Sequence, residues 1–143
     1  FMKNILVITL AATVLLGCSA TSNISLKEKD QAYAKYLSEE NLAGEDKINS
    51  FRFKGWKPLS DKFLIISAAH KKDYLIETQG TCHDLNESHG IELNRFSNFV
   101  IHKEGDSIST IEQPTKKCFI KSIYPLTAGQ TEHLESIGNP IQS

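Results

Sequence analysis

Cys82-His83-Asp84, with Glu87 and His89 close behind, is the densest grouping of side chains able to hold a metal or attack a substrate. Thiolate and imidazole are zinc ligands, and zinc sites favour spacings such as Cys-x2-Cys or His-x3-His. His83 and His89 do not follow either spacing, so they are weak metal candidates. The expected reading is a polar loop beside a disulfide, with no metal and no cofactor. A Cys82 nucleophile working with a histidine base would need a reduced thiol. No Gly-x-Ser-x-Gly elbow, paired-carboxylate motif or phosphate-cradling glycine loop occurs in the sequence. The expectation is therefore a protein without enzymatic activity.

Arg52 and Trp56 are the second place where residue types suggest chemistry. A planar cation near a flat apolar ring is the composition of binding hot spots, and equally of a structural cation–π pair. Arg52 is the better contact candidate, and Trp56 is expected to fill the mouth of the fold. Asp61 is expected to pair with Lys57 or Arg52.

The N-terminus states an address. Lys3 precedes an apolar run over residues 5–16 that is broken only by Thr9 and Thr13, and Leu15-Leu16-Gly17-Cys18 leads into a polar stretch. A positive start, a short apolar core and small residues at the cut describe a secretory signal over residues 2–17, too short for a stable membrane span. Leu-Leu-Gly-Cys resembles the lipobox of bacterial lipoproteins. That resemblance implies a diacylglyceryl group on the Cys18 thiol, cleavage before it, and three acyl chains of the palmitate kind. Two or more chains make a firm tether, because each buried methylene contributes about 0.8 kcal/mol. Ser19 in place of Asp implies the outer membrane of a Gram-negative bacterium, with the protein facing the periplasm.

Removal of residues 1–17 leaves residues 18–143, the size of a single domain. The formal charge of the whole chain is −1, which lacks the basic footprint of a nucleic-acid binder. The clusters Arg52/Lys54/Lys57, His70-Lys71-Lys72 and Lys116-Lys117 are short and read as solvated faces or turns. With Cys18 acylated, Cys82 and Cys118 remain, and in an oxidising compartment they are expected to bond.

These groups must be positioned by a mainly β (α+β) domain over residues 26–137, preceded by a lipidated cysteine and tether at 18–25 and followed by a tail at 138–143. Ser25 and Glu28 form a capping box that starts a helix over 26–41, stopped by Gly44. Residues 49–54 alternate as a half-buried strand, broken by Gly55-Trp56-Lys57-Pro58. Residues 62–69 are apolar on both faces and predict a central strand, returning through His70–Asp73 to a strand at 74–78. Further strands are expected at 91–95, 98–103 and 107–112, the last two joined across Glu104-Gly105-Asp106. Pro114 blocks continuation, and a last strand runs from Cys118 to Tyr124, ending at Pro125. Thr127 with Gln130 opens a short helix at 128–137. The result is a small antiparallel barrel or sandwich with a helix at each end.

Several elements recur in order: Ile48-x-x-Phe51-Arg52, Gly55-Trp56-x-Pro58-Leu59, Leu64-Ile65-Ile66, Tyr74-Leu75-Ile76, Cys82-x-Asp84-Leu85, Gly90-Ile91 and Cys118-x-Ile120-x-x-Ile123-Tyr124-Pro125-Leu126-Thr127. Over about residues 45–127 this resembles a family of small secreted or lipid-anchored Gram-negative proteins known as a domain of unknown function. His83 departs from the pattern, where a small residue or proline is expected. The resemblance implies no activity, cofactor or catalytic residue. The leading expectation is an outer-membrane lipoprotein that binds an envelope protein or component. The alternatives are a periplasmic inhibitor of a lysozyme-type hydrolase, whose Ser-Gly-x-x-Tyr motif is missing from this sequence, and a metal-dependent enzyme using His83 and His89.

The address is testable. Cys18→Ser is expected to abolish labelling by a fatty-acid probe, and undiminished labelling of that variant would refute acylation at Cys18.

Overall fold

The computed structural model of this chain describes residues 25–137. The expected signal at 2–17, Cys18, the tether as far as residue 24 and the tail at 138–143 lie outside the described residues.

Both helices begin where the sequence places them. Ser25 Oγ accepts from the Glu28 N–H at 3.1 Å, and Glu28 Oε1 accepts from the Ser25 N–H at 3.2 Å. This reciprocal cap satisfies two of the free donors that open helix α1, Leu26–Glu39. The helix ends two residues before position 41. Asn41 adopts a left-handed φ of 50°, so its N–H reaches Ser38 O and the Leu42 N–H reaches Leu37 O, each at 3.2 Å. Asparagine tolerates that conformation well enough to close the helix, and Gly44 is not needed. Thr127 and Gln130 make the second reciprocal cap, at 2.9 and 3.1 Å, and open α2, Ala128–Ile137.

Between the helices lie eight strands: β1 Lys47–Ile48, β2 Phe53–Pro58, β3 Phe63–Ala68, β4 Lys72–Thr78, β5 Ile91–Asn94, β6 Ile101–His102, β7 Ser107–Thr110 and β8 Gln113–Leu126. Six form one antiparallel sheet in the order β2-β3-β4-β8-β7-β5, curled into a half-barrel, while β1 and β6 pair separately. The expected mainly β class with a helix at each end holds, in the form of an open, curled sheet. β3 is covered on both faces, as its apolar run predicts, but it lies next to the edge strand β2 and not at the centre of the sheet. Leu64 and Ile66 pack inside the curl with Phe51, Ile76, Ile101, Ile108 and Ile123. Phe63 and Ile65 face outward, beneath Tyr33 of α1 and Leu134 of α2. Tyr33 adds an edge-on ring contact with Phe63 at 5.4 Å and donates its hydroxyl to Leu59 O at 3.1 Å.

Three strand expectations need correction. Residues 49–52 are not a strand. Ser50 turns at a left-handed φ of 52°, and pairing begins at Phe53 and runs through Gly55-Trp56-Lys57-Pro58, the segment expected to break it. A register shift between Phe53 and Gly55 marks the transition. Residues 98–103 and 107–112 do not pair with one another. Of residues 98–103 only Ile101–His102 forms a strand, and it pairs with β1; beyond the turn at Gly105 (φ 101°), β7 lies between β5 and β8. Finally, the last strand spans Gln113–Leu126 and contains both prolines. Pro125 sits at its end, paired with Tyr74 of β4 alone. Pro114 sits at its start, beside the register shift where β7 departs. Neither position demands a second ladder bond, so the missing N–H is tolerated.

The Cys82–Cys118 bond is present, with Cα atoms 5.6 Å apart across a sequence separation of 36. It fastens the 82–88 loop to β8, and that loop places Leu85 fully inside the curl. Asp61 does not pair with Lys57 or Arg52 in this arrangement. Its carbonyl and carboxylate oxygens accept the Cys82 N–H at 2.6 Å and the Asn86 N–H at 2.8 Å, while Lys57 meets Glu135 of α2 at 3.1 Å. Cys82→Ala and Cys118→Ala are each expected to cost about 2–5 kcal/mol, and the double variant about as much as either single one. Denaturant titration checks the energies. Alkylation read by mass should tag Cys82 and Cys118 only after reduction.

A candidate binding groove

Arg52 ends up beside residues that the sequence placed in an ordinary turn. Its carbonyl accepts the Ala69 N–H at 3.2 Å, which draws the 48–52 segment alongside the tip between β3 and β4. Arg52, His70, Lys72 and Tyr74 then line a cavity of about 410 Å³ over Phe51. A second cavity of about 480 Å³ shares Ile48, Asn49, Lys72 and Tyr74 with it and continues past Lys47 and Lys71 to the start of α2. Together they form one groove. Its walls contain three residues in left-handed conformation, Ser50, His70 and Lys71, with φ of 52°, 66° and 58°. Non-glycine residues held there cost of order 1 kcal/mol or more each, and such strain collects at functional sites.

The chemistry of the groove is that of a hydrogen-bond donor. Arg52, Lys47, Lys71 and Lys72 outnumber Glu45 and Asp73, and Asp73 already accepts the Ser67 hydroxyl at 2.7 Å. Burial, and then the nearby Glu45 carboxylate, raises the Tyr74 hydroxyl above its ordinary value, so it remains a donor at neutral pH. Phe51, itself buried, sets its ring edge-on to Tyr74 at 6.4 Å and backs the apolar side of the groove. Guanidinium, ammonium and phenol groups above an apolar surface suit a ligand that carries phosphate or carboxylate oxygens on a larger body.

Trp56 is half-buried against the inner core. The cation–π contact of this region uses other residues, with Arg95 lying 5.6 Å from the Phe51 ring centroid. His83 and His89 are not brought together as a metal pair. His83 is exposed and borders a cleft of about 370 Å³ with the disulfide, Lys116 and Lys117. His89 turns to Glu112 at 3.1 Å. Among the described residues, no three His, Cys, Asp or Glu side chains are grouped so that they could hold a metal ion. A second histidine–carboxylate contact, His102 with Asp106, belongs to the β6–β7 turn. Buried Asp106 accepts the His102 N–H there at 2.7 Å.

Glu112 clips the disulfide loop to the β7–β8 turn. It accepts the Ser88 hydroxyl at 2.6 Å and the His89 N–H at 3.1 Å. These bonds, with Ser88 contributing most, hold its carboxyl down at about 2 against an ordinary 4.5. A folded value below the unfolded one means that the contribution is complete above pH 4.5 and is lost as pH falls through about 2. The His89 amide resonance is therefore expected to titrate with a midpoint near pH 2, and Glu112→Gln should remove that transition.

No curated protein and no solved structure shows significant similarity to this chain. A family model does match, over residues 1–137, a span that contains the two helices and eight strands of the described residues and the groove. The chain belongs to that family, DUF6491, a family of unknown function.

Proposed function

We propose that this protein is a binding module, held at the outer membrane of a Gram-negative bacterium by acyl chains on Cys18 and facing the periplasm, whose groove takes an anionic envelope component or the acidic surface of an envelope protein. The observation that carries this reading is the convergence of Arg52 with His70, Lys71 and Lys72 along one strained, aromatic-floored groove. Two basic clusters far apart in sequence reinforce one another there. A groove of donors favours acceptors in its partner, and the field of clustered like charge also speeds encounter. The lipobox-like sequence supports the location, and the disulfide suits an oxidising compartment.

Crosslinking from position 71 in native membranes, followed by identification of the adduct, tests the reading. Arg52→Ala and Lys72→Ala are each expected to weaken capture by about 2 kcal/mol or more, as hot-spot truncations do, with melting temperature unchanged and with capture falling further at high salt. Trp56→Ala is expected to act on the fold instead, costing about 3–5 kcal/mol of stability, while the fraction that remains folded captures normally. Equal adduct yield from the parent, Arg52→Ala and Lys72→Ala proteins would refute the groove as the contact.

A further inference from the structure

Phe51 is the hub of a second surface. Its N–H donates to Phe99 O at 2.7 Å, its ring stacks with Phe53 at 6.4 Å, and Arg95 lies over it. Around that hub the chain exposes aromatic area in quantity: Phe96 is 83 % exposed, Phe99 62 % and Phe53 37 %. Gly105 fixes the most prominent of them. It sits at a φ of 101°, and a Cβ added there would meet the Phe96 ring at 3.0 Å, so the ring lies on bare backbone. The turn that presents these rings is closed on itself, with a bridge between Ser97 and Val100 and the Phe99 N–H donating to Ser97 Oγ at 3.2 Å.

Charge identifies the occupant. Residues 50–57 and 93–103 contain no Asp or Glu. Lys57 and Lys103 are engaged by Glu135 and Asp46, and among the described residues Arg52, Lys54 and Arg95 meet no carboxylate. We infer that this aromatic and cationic rim seats against an anionic lipid surface, with Phe96 and Phe99 entering the boundary between headgroups and acyl chains, and with the exposed Arg52 and Lys54 facing lipid phosphates, while Arg95 stays folded over Phe51. Protruding aromatic rings beside cations are what that boundary accepts, because the ring loses water while the charge stays among headgroups. The self-bonded turn matters equally, because a backbone that enters an apolar layer must already have its donors and acceptors satisfied. The inference does not depend on acylation at Cys18, and of its exposed side chains it shares only Arg52 with the groove, so the readout at position 96 with Lys54→Glu separates its failure from that of the groove.

The test places a reporter at position 96 of the full chain, reconstituted into vesicles whose acyl chains carry bromine. Phe96→Trp is expected to be quenched several-fold more strongly than Lys35→Trp on the exposed face of α1. The difference should be larger in phosphatidylglycerol vesicles than in phosphatidylcholine and should shrink with Arg52→Glu and Lys54→Glu. Phe99→Trp is expected to repeat the result, which guards against a local fault in one variant. Equal quenching at positions 96 and 35 would overturn the inference, as would quenching at 96 that ignores both lipid charge and the charge reversals. Crosslinks between copies through position 96 in the same vesicles would assign the rim to a second copy of this chain and equally overturn it.

Discussion

Leu64 and Ile65 are neighbours in β3, and both are withdrawn from water on opposite faces of the sheet. A sheet that is apolar on both sides has to be covered twice, and this requirement organises the chain. The two helices provide the outer cover, with Tyr33 and Leu134 lying over Phe63, Ile65 and Leu75. The inner cover comes from segments with little regular structure of their own. Ile48 and Phe51, Leu85 of the disulfide loop, and Ile101 fill the hollow of the curl. Full burial of such a side chain is worth roughly 1.5–3 kcal/mol, so these loops carry as much of the core as many strand positions do.

The sites follow from that division. Segments recruited to fill the hollow leave their polar neighbours at its rim. Phe51 goes in, so Arg52 stays out beside the β3–β4 tip. Leu85 goes in, so His83 and His89 remain at the surface of the loop. The same anchor serves both described surfaces, because the Phe51 ring floors the groove on one side and underlies Arg95 and Phe53 on the other. Substitution of Phe51 would disturb both together, which makes it a poor probe of either.

How much of this was legible in the sequence depends on the range of the interactions involved. Capping boxes are local, and both helices start where Ser25 and Thr127 place them. The double-sided burial of β3 was also legible, because a run such as Phe-Leu-Ile-Ile has no polar face to expose. Residues 49–58 misled because their alternation is real but is realised by a turn at Ser50, held through a hydrogen bond to Phe99 nearly fifty residues away. The 98–112 region misled because strand pairing is set by where Gly105 sends the chain, and no local pattern reports the choice of partner. The groove was invisible for a similar reason. Arg52 and His70-Lys71-Lys72 each looked like ordinary solvated charge, and only the β2–β3 register, which pairs Phe53 with Ala68, brings them side by side. Two short basic clusters at the same end of a hairpin would have been the signal to seek.

β2 lies at one margin of the six-stranded sheet, with unpaired backbone along its outer side. Such a margin ordinarily invites another strand to dock, whether from a partner or from a misfolded copy. This one carries Lys54 and Lys57, ends in Pro58, which has no N–H to offer, and is kinked by the register shift after Phe53. A templated strand would meet charge, a gap in the ladder and a bend within six residues. The curled sheet can therefore remain open without seeding fibres, and the protein is left to recognise others through its side chains instead of lending them its backbone.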